Sequence, residues 1–502
     1  MNRVSMRCGL VFSVALSLSL GSSAVWATDY SWDGVGGDLD WGNVTNWNPD
    51  AVDGDPQADD TVSLPGNNSA LDQHRTINGL YYNGSGSSLN LRLDGHRLQV
   101  NSALEVGMRA SRSAVMTNGT VGLGAGDASR AVVHVARSLG SGDYYGTLDL
   151  RGCTVEGWLS QLSAGYNASS TGGAHGWVML GAGSLDVTTI VAGRDVYSQG
   201  SIDLGEASVT AGSLQVGYNT SSAGGSRVTV NGGHLAVSGT VYIGYSSQSY
   251  VDAFSSVVVT GGGSLTLGST DAPVVLHLGR AIGSNQDIHG SLDTTEGTLT
   301  GHLSSALIGR DNNNTGGSHG TLKVGKGRLN VGGMTISGYS WGWNCLVSFD
   351  ATEVNIGTLV VYYPTTGGSH PQWYMAGGAV VAISNSVAFT GSSSVLKSTI
   401  DGRSTGFWLT QTNTTISLVP PMQLEFHDPK GVGHHYWGFK WTGNQTNRVQ
   451  QNLIGTGKLV WDDTTYLSPH FQGKVENYYD PSSDTTYVGF RVSGEGATMM
   501  VK

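Results

Sequence analysis

The chain has 502 residues, of which 76 are Gly and 11 are Pro, with 13% charged and 38% hydrophobic residues. Gly at about twice ordinary usage, without an every-third-residue rhythm, excludes collagen, and this much apolar content with so little charge excludes a disordered chain. The formal net charge of −11 is the wrong sign for a nucleic acid or an anionic lipid surface.

Residues 1–27 read as a secretory signal peptide. Arg3 and Arg7 supply the positive start, Gly9 to Leu20 the apolar stretch, and Val25-Trp26-Ala27 the small residues of a cleavage site. The apolar run is short for a spanning helix and is broken by Ser and Gly. Removing the leader leaves 24 basic and 37 acidic residues, a net of −13. The expected location is secreted or cell-surface. Cys8 leaves with the leader. Cys153 and Cys345 would lie roughly 30 Å apart at about 4.8 Å per coil, too far for a disulfide, and read as buried small hydrophobes.

Residues 28–100 read as an N-terminal β cap followed by the first, shorter coils. The segment YSWDGVGGDLDWGNVTNWNPD interleaves Trp32, Trp41 and Trp47 with Gly, Asp and Asn, and Asp60-Thr61-Val62 leads into a strand. This W-x-G … W … N-W … D-T-V run resembles the N-terminal segments of bacterial secreted β-helix proteins of the autotransporter-passenger type. The resemblance spans about 35 residues. Physically, three Trp in a polar segment suit a cover for the open end of a β-helix, which otherwise exposes an unpaired coil. A sugar-binding Trp face is the alternative.

Residues 101–395 carry a repeat. Its landmark is an apolar–x–apolar–Gly phrase starting at residues 104, 133, 162, 190, 214, 241, 276, 306, 335 and 359. The drifting spacing suits three short strands per coil joined by turns of unequal length. In the coil from Leu214, the inward residues are Leu214 and Val216, Val228 and Val230, then Leu235 and Val237. The predicted architecture is all-β, a parallel β-helix, right-handed by the usual chirality of parallel connections. The coil phrase fades near residue 395. Residues 396–502 read as a C-terminal β module, antiparallel over 437–490, with Pro420-Pro421 at its boundary. A sorting tail or an outer-membrane barrel often follows such coils in secreted proteins, and the sequence reaches Lys502 with neither.

The residue after each landmark is the main surface signal: Met108, Arg137, Tyr166, Arg194, Tyr218, Tyr245, Arg280, Arg310, Tyr339 and Tyr363. In register, these form a column about 4.8 Å apart at one corner. One reading is a stacked Tyr/Arg ladder. The other is a glycan-binding strip made by Tyr166, Arg194, Tyr218, Tyr245, Arg280, Arg310 and Tyr339. A second recurrence, T-G-G-[AS]-H, ends at His175, His319 and His370. The first two should sit about five coils apart, too far to share an ion, so a repeated turn is the favoured reading. His427, Asp428, His434 and His435 lack a metal-ligand spacing. Trp341, Trp343 and Trp373 could stack on sugar or cover strands. The adjacent pairs Asp59-Asp60 and Asp462-Asp463 point to opposite strand faces, and no G-x-S-x-G, H-E-x-x-H or P-loop is present.

These features favour an exported non-enzymatic protein, structural or adhesin-like. The sequence predicts no metal, cofactor or nucleic-acid partner, with an extracellular glycan or the cell envelope as the expected partner. The alternatives are a polysaccharide lyase or glycoside hydrolase assembled from separate coils, and a carbohydrate-binding β-helix without catalysis.

Overall fold

The computed structural model describes residues 28–494, except 34–39, 49–55, 65–67, 83–87, 109–110, 140, 168–171, 196, 220–224, 247–251, 283–286, 310–316, 338–344, 364–371, 377–378, 392–393, 401–406, 411–414, 420–421, 426–434, 457–458 and 462–470. Strand accounts for 74% of the structure and helix for 4%, arranged as a parallel β-solenoid of about ten turns with a small three-stranded antiparallel sheet. The all-β, parallel β-helix reading therefore holds. Among the described residues no helix is long and apolar enough to cross a membrane.

The coil from Leu214 shows how the sequence builds the solenoid. Its six inward residues alternate with the outward-facing Gln215, Thr229 and Ala236, so each short strand has one inward apolar face, and all six are buried. Each strand then pairs with its equivalents above and below. Leu214 lies opposite Ile190 and Val241, Val228 opposite Ile202 and Val257, and Leu235 opposite Val209 and Leu265. One coil cannot bury these faces alone, whereas stacked coils share a continuous core.

The fourth position of the phrase explains the recurrent Gly. Gly107, Ala136, Gly165, Gly193, Gly217, Gly244, Gly279 and Gly309 all adopt φ between 55° and 72°. A left-handed residue here bends the strand just before its last paired residues, a conformation that suits Gly. Space is a second reason. A Cβ at Gly165 would collide with the Gln199 carbonyl of the next coil, and one at Gly279 with that of His319.

The register corrects one phrase. Met334 and Ile336 pair with Ala306 and Ile308, so that coil's phrase starts at Met334, not at Thr335. The buried side chains are Met334 and Ile336, which is what the pleat requires when Met334 takes the first inward position.

At the N-terminal end, Asp29–Trp32 pairs parallel with Thr61–Ser63 and antiparallel with Trp47–Asn48. Trp32, Trp41 and Trp47 are buried in the same core as the coil aliphatics. Trp47 meets Trp32 and Trp41 edge-on, each at 4.9 Å, and its indole N–H donates to the Trp41 carbonyl at 2.9 Å. No face of these rings is left for a sugar. Asp60 is also structural: its carboxylate accepts from the backbone N–H groups of Thr28 and Gln57.

Parallel pairing does not stop at residue 395. Val380–Gly391 pairs with Thr415–Val419, Ser394–Ile400 with Met422–Glu425, and Met422–Glu425 with Leu459–Trp461. These strands lack the Gly phrase yet continue the backbone ladder. His435–Thr442 joins the two regimes. It pairs parallel with Phe407–Leu409 and antiparallel with Thr485–Gly494, which in turn pairs with Phe471–Asp480.

Cys153 and Cys345 are free and buried. Burial pushes the Cys345 thiol up to about 12 and the Cys153 thiol to about 11.

Candidate functional site

The column after the landmark phrase is a continuous stack. Backbone register places Arg137, Tyr166, Arg194, Tyr218, Tyr245 and Arg280 opposite one another on successive coils. The Arg137 guanidinium lies 5.7 Å from the Tyr166 ring centre. Arg194 sits between two phenols, 5.5 Å from Tyr166 and 5.8 Å from Tyr218. Tyr218 and Tyr245 stack at 4.7 Å and 16°, and Arg280 closes the run 5.7 Å from Tyr245. Cations over ring faces are favourable because the quadrupole is negative there. The following position assists: Asp195 and Asn219 hold left-handed backbone, and the Asn167 side chain donates to the Gly172 carbonyl.

Five of the seven residues expected to form a strip are thus brought together: Tyr166, Arg194, Tyr218, Tyr245 and Arg280. Arg310 and Tyr339 lie outside the described residues. Met108 is buried. His370, Trp341, Trp343, Asp462-Asp463, His427, Asp428 and His434 also fall outside them.

A second column flanks the other side of the same corner, and sequence reasoning saw only part of it. Tyr145 lies opposite His175, His175 opposite Gln199, Phe254 opposite His289, and His289 opposite His319. The strand registers put Gly225 between Gln199 and Phe254. His175 and His319 are therefore five coils apart, as their spacing suggests. Tyr145 stacks on His175 at 4.6 Å, Phe254 on His289 at 4.1 Å, and His289 on His319 at 4.3 Å. The T-G-G-[AS]-H phrase carried the signal, but the intervening rungs Gln199, Gly225, Phe254 and His289 share no residue type. Only alignment on the second strand of each coil reveals them.

One pair imitates a nucleophile and its base. His134 Nδ1 lies 2.6 Å from Ser163 Oγ, and Glu105 is opposite His134 on the preceding coil. However, Ser163 is 0% exposed and its hydroxyl also lies 3.2 Å from the Val133 carbonyl, to which it donates. Burial, then the nearby Arg137 charge, lowers the His134 pKa to about 4. An enclosed Ser beside a poorly basic His has no path to a substrate.

Several acids elsewhere are tied up in ion pairs with Arg. Asp186 and Asp127 hold Arg130, Glu156 holds Arg97, and Asp149 holds Arg151. Among the described residues, no group of three or more His, Cys, Asp or Glu is placed to hold a metal ion.

The fold and its edge define a parallel β-solenoid with self-stacked aromatic and cationic columns. No protein-family model, no curated protein and no solved structure matches the chain.

Proposed function

We propose that this chain is an exported, non-enzymatic β-solenoid that serves as a structural or adhesin-like element at the cell envelope. The carrying observation is the run Arg137, Tyr166, Arg194, Tyr218, Tyr245 and Arg280, in which each interior rung has neighbours over both faces. Such a strip reinforces a stack of coils along its length. At about 4.8 Å per coil, the roughly ten turns make a rod of about 50 Å. The leader-like residues 1–27 support export. The Trp-rich run after them supports kinship in plan with autotransporter passengers, which is a fold-level analogy.

The test is expression of the full chain in a bacterial host, with fractionation and N-terminal sequencing of the product. The reading expects a chain beginning near Thr28 outside the cytoplasm. An unprocessed chain confined to the cytoplasm would overturn the export claim.

A further inference from the structure

The second column lacks a rung. Gly225 brings no side chain between Gln199 and Phe254, while its neighbours above and below carry stacking or hydrogen-bonding groups. A groove of about 520 Å³ runs along these coils from Trp177 to Thr321, and Gln199, Gly225, Arg227, Phe254 and the hydroxyls of Ser201 and Ser256 line its part at this place.

Its walls differ in chemistry. Phe254 is 45% exposed although its ring stacks on His289. Arg227 stands two residues after Gly225, in the strand Ser226–Asn231, is exposed, and has no hydrogen-bond or ion-pair partner among the described residues. Ser201 and Ser256 lie opposite Arg227 on the coils before and after, and Ser291 and Thr321 continue that row. The slot thus offers an aromatic face, one cation and a rim of hydroxyls.

Size selects the guest. Two rungs span roughly 10 Å at about 4.8 Å each. A six-membered ring in contact on both sides needs about 3.5–4 Å per side, so one ring replaces the missing rung. A flat hydrocarbon would leave the hydroxyl rim and the guanidinium unused. A pyranose has an apolar C–H face for Phe254 and hydroxyls for the rim. Arg227 adds preference for a carboxylate, to which a guanidinium binds with two parallel hydrogen bonds.

We infer that the slot at Gly225 binds one acidic pyranose of a glycan, with the sugar ring stacked on Phe254 and its carboxylate on Arg227. The site is separate from the Tyr/Arg stack and does not depend on where the chain is delivered.

The experiment is calorimetric titration of the purified chain with a panel of hexuronic-acid tetrasaccharides and their carboxyl-reduced counterparts. Saturable binding of an acidic tetrasaccharide is expected, with the reduced form at least about tenfold weaker, as for loss of a charged hydrogen bond. Arg227→Ala should weaken the acidic ligand by the same factor and leave the neutral one unchanged. Phe254→Ala should weaken both, and Phe254→Tyr should restore them, with melting temperature reporting that each variant is folded. Absence of saturable binding, equal affinity for both forms, or unchanged affinity in folded Phe254→Ala would overturn the inference.

Discussion

Tyr218 and Tyr245 lie ring on ring, 4.7 Å between centroids and 16° from parallel, on adjacent coils whose backbones pair directly. The spacing of the rings is close to the spacing of the strands, about 4.8 Å. Stacking therefore requires no distortion of the solenoid, and the rings reinforce the same repeat that the backbone hydrogen bonds set. Burial, then the neighbouring Tyr245 and Tyr242 phenols, raises the Tyr218 pKa, so the Tyr218 phenol stays neutral at ordinary pH.

Arg194 should matter more than a surface Arg normally does. It touches two phenols, and each cation–π contact contributes roughly 0.5–1 kcal/mol when exposed. Arg194→Met should lose about 1–2 kcal/mol in urea denaturation. Arg151→Met, whose exposed cation pairs with the Asp149 carboxylate, should leave the urea midpoint nearly unchanged.

Gly165→Ala should destabilise by at least about 2 kcal/mol. The left-handed backbone alone costs roughly 1–2 kcal/mol for a residue with Cβ, and the methyl also meets the Gln199 carbonyl. Ala136 already occupies the equivalent place at φ 55°. Ala136→Gly should stay within about 1 kcal/mol of the parent, because relief of that backbone cost offsets the greater freedom of the unfolded chain. Thermal melts of the two variants check the contrast.

Acid should weaken the fold through His134. The unfolded chain protonates this His near its ordinary 6.5, the folded chain only near about 4. The unfolded state thus binds more protons in that window, and stability falls as pH drops through it, by on the order of 3 kcal/mol from this group. Above about pH 6.5 the effect is absent. His134→Asn should flatten this part of the stability–pH curve measured by urea midpoints. An unchanged slope in the variant would remove His134 as the cause.

The two thiols should be silent until the coils open. Burial raises both pKa values, and the Cys345 Sγ also lies 3.0 Å from the Ser337 carbonyl. In the chain from residue 28 onward, a thiol reagent at pH 8 should label neither Cys natively and both in 6 M guanidinium.

The solenoid was legible because its signal is local and repeated. Leu214, Val216, Val228, Val230, Leu235 and Val237 follow the pleat, and Gly at the turning position marks most of the coils. The Tyr/Arg column was legible for the same reason, since it sits one residue after that mark. The second column was not, because variable turns separate it from the landmark and its rungs range from Tyr145 to Gly225. Backbone pairing past residue 395 was equally hidden, as Met422–Glu425 and Leu459–Trp461 carry no landmark. The one-residue offset at Met334 arose where Ser337 replaces the Gly of the phrase.

The most direct test of the stack as a reinforcing element is a double-mutant cycle on Tyr218→Ala and Tyr245→Ala, measured by equilibrium urea denaturation. Direct stacking predicts a coupling energy of roughly 0.5–1.5 kcal/mol between the two positions. Strictly additive losses, or no loss from either variant, would contradict it.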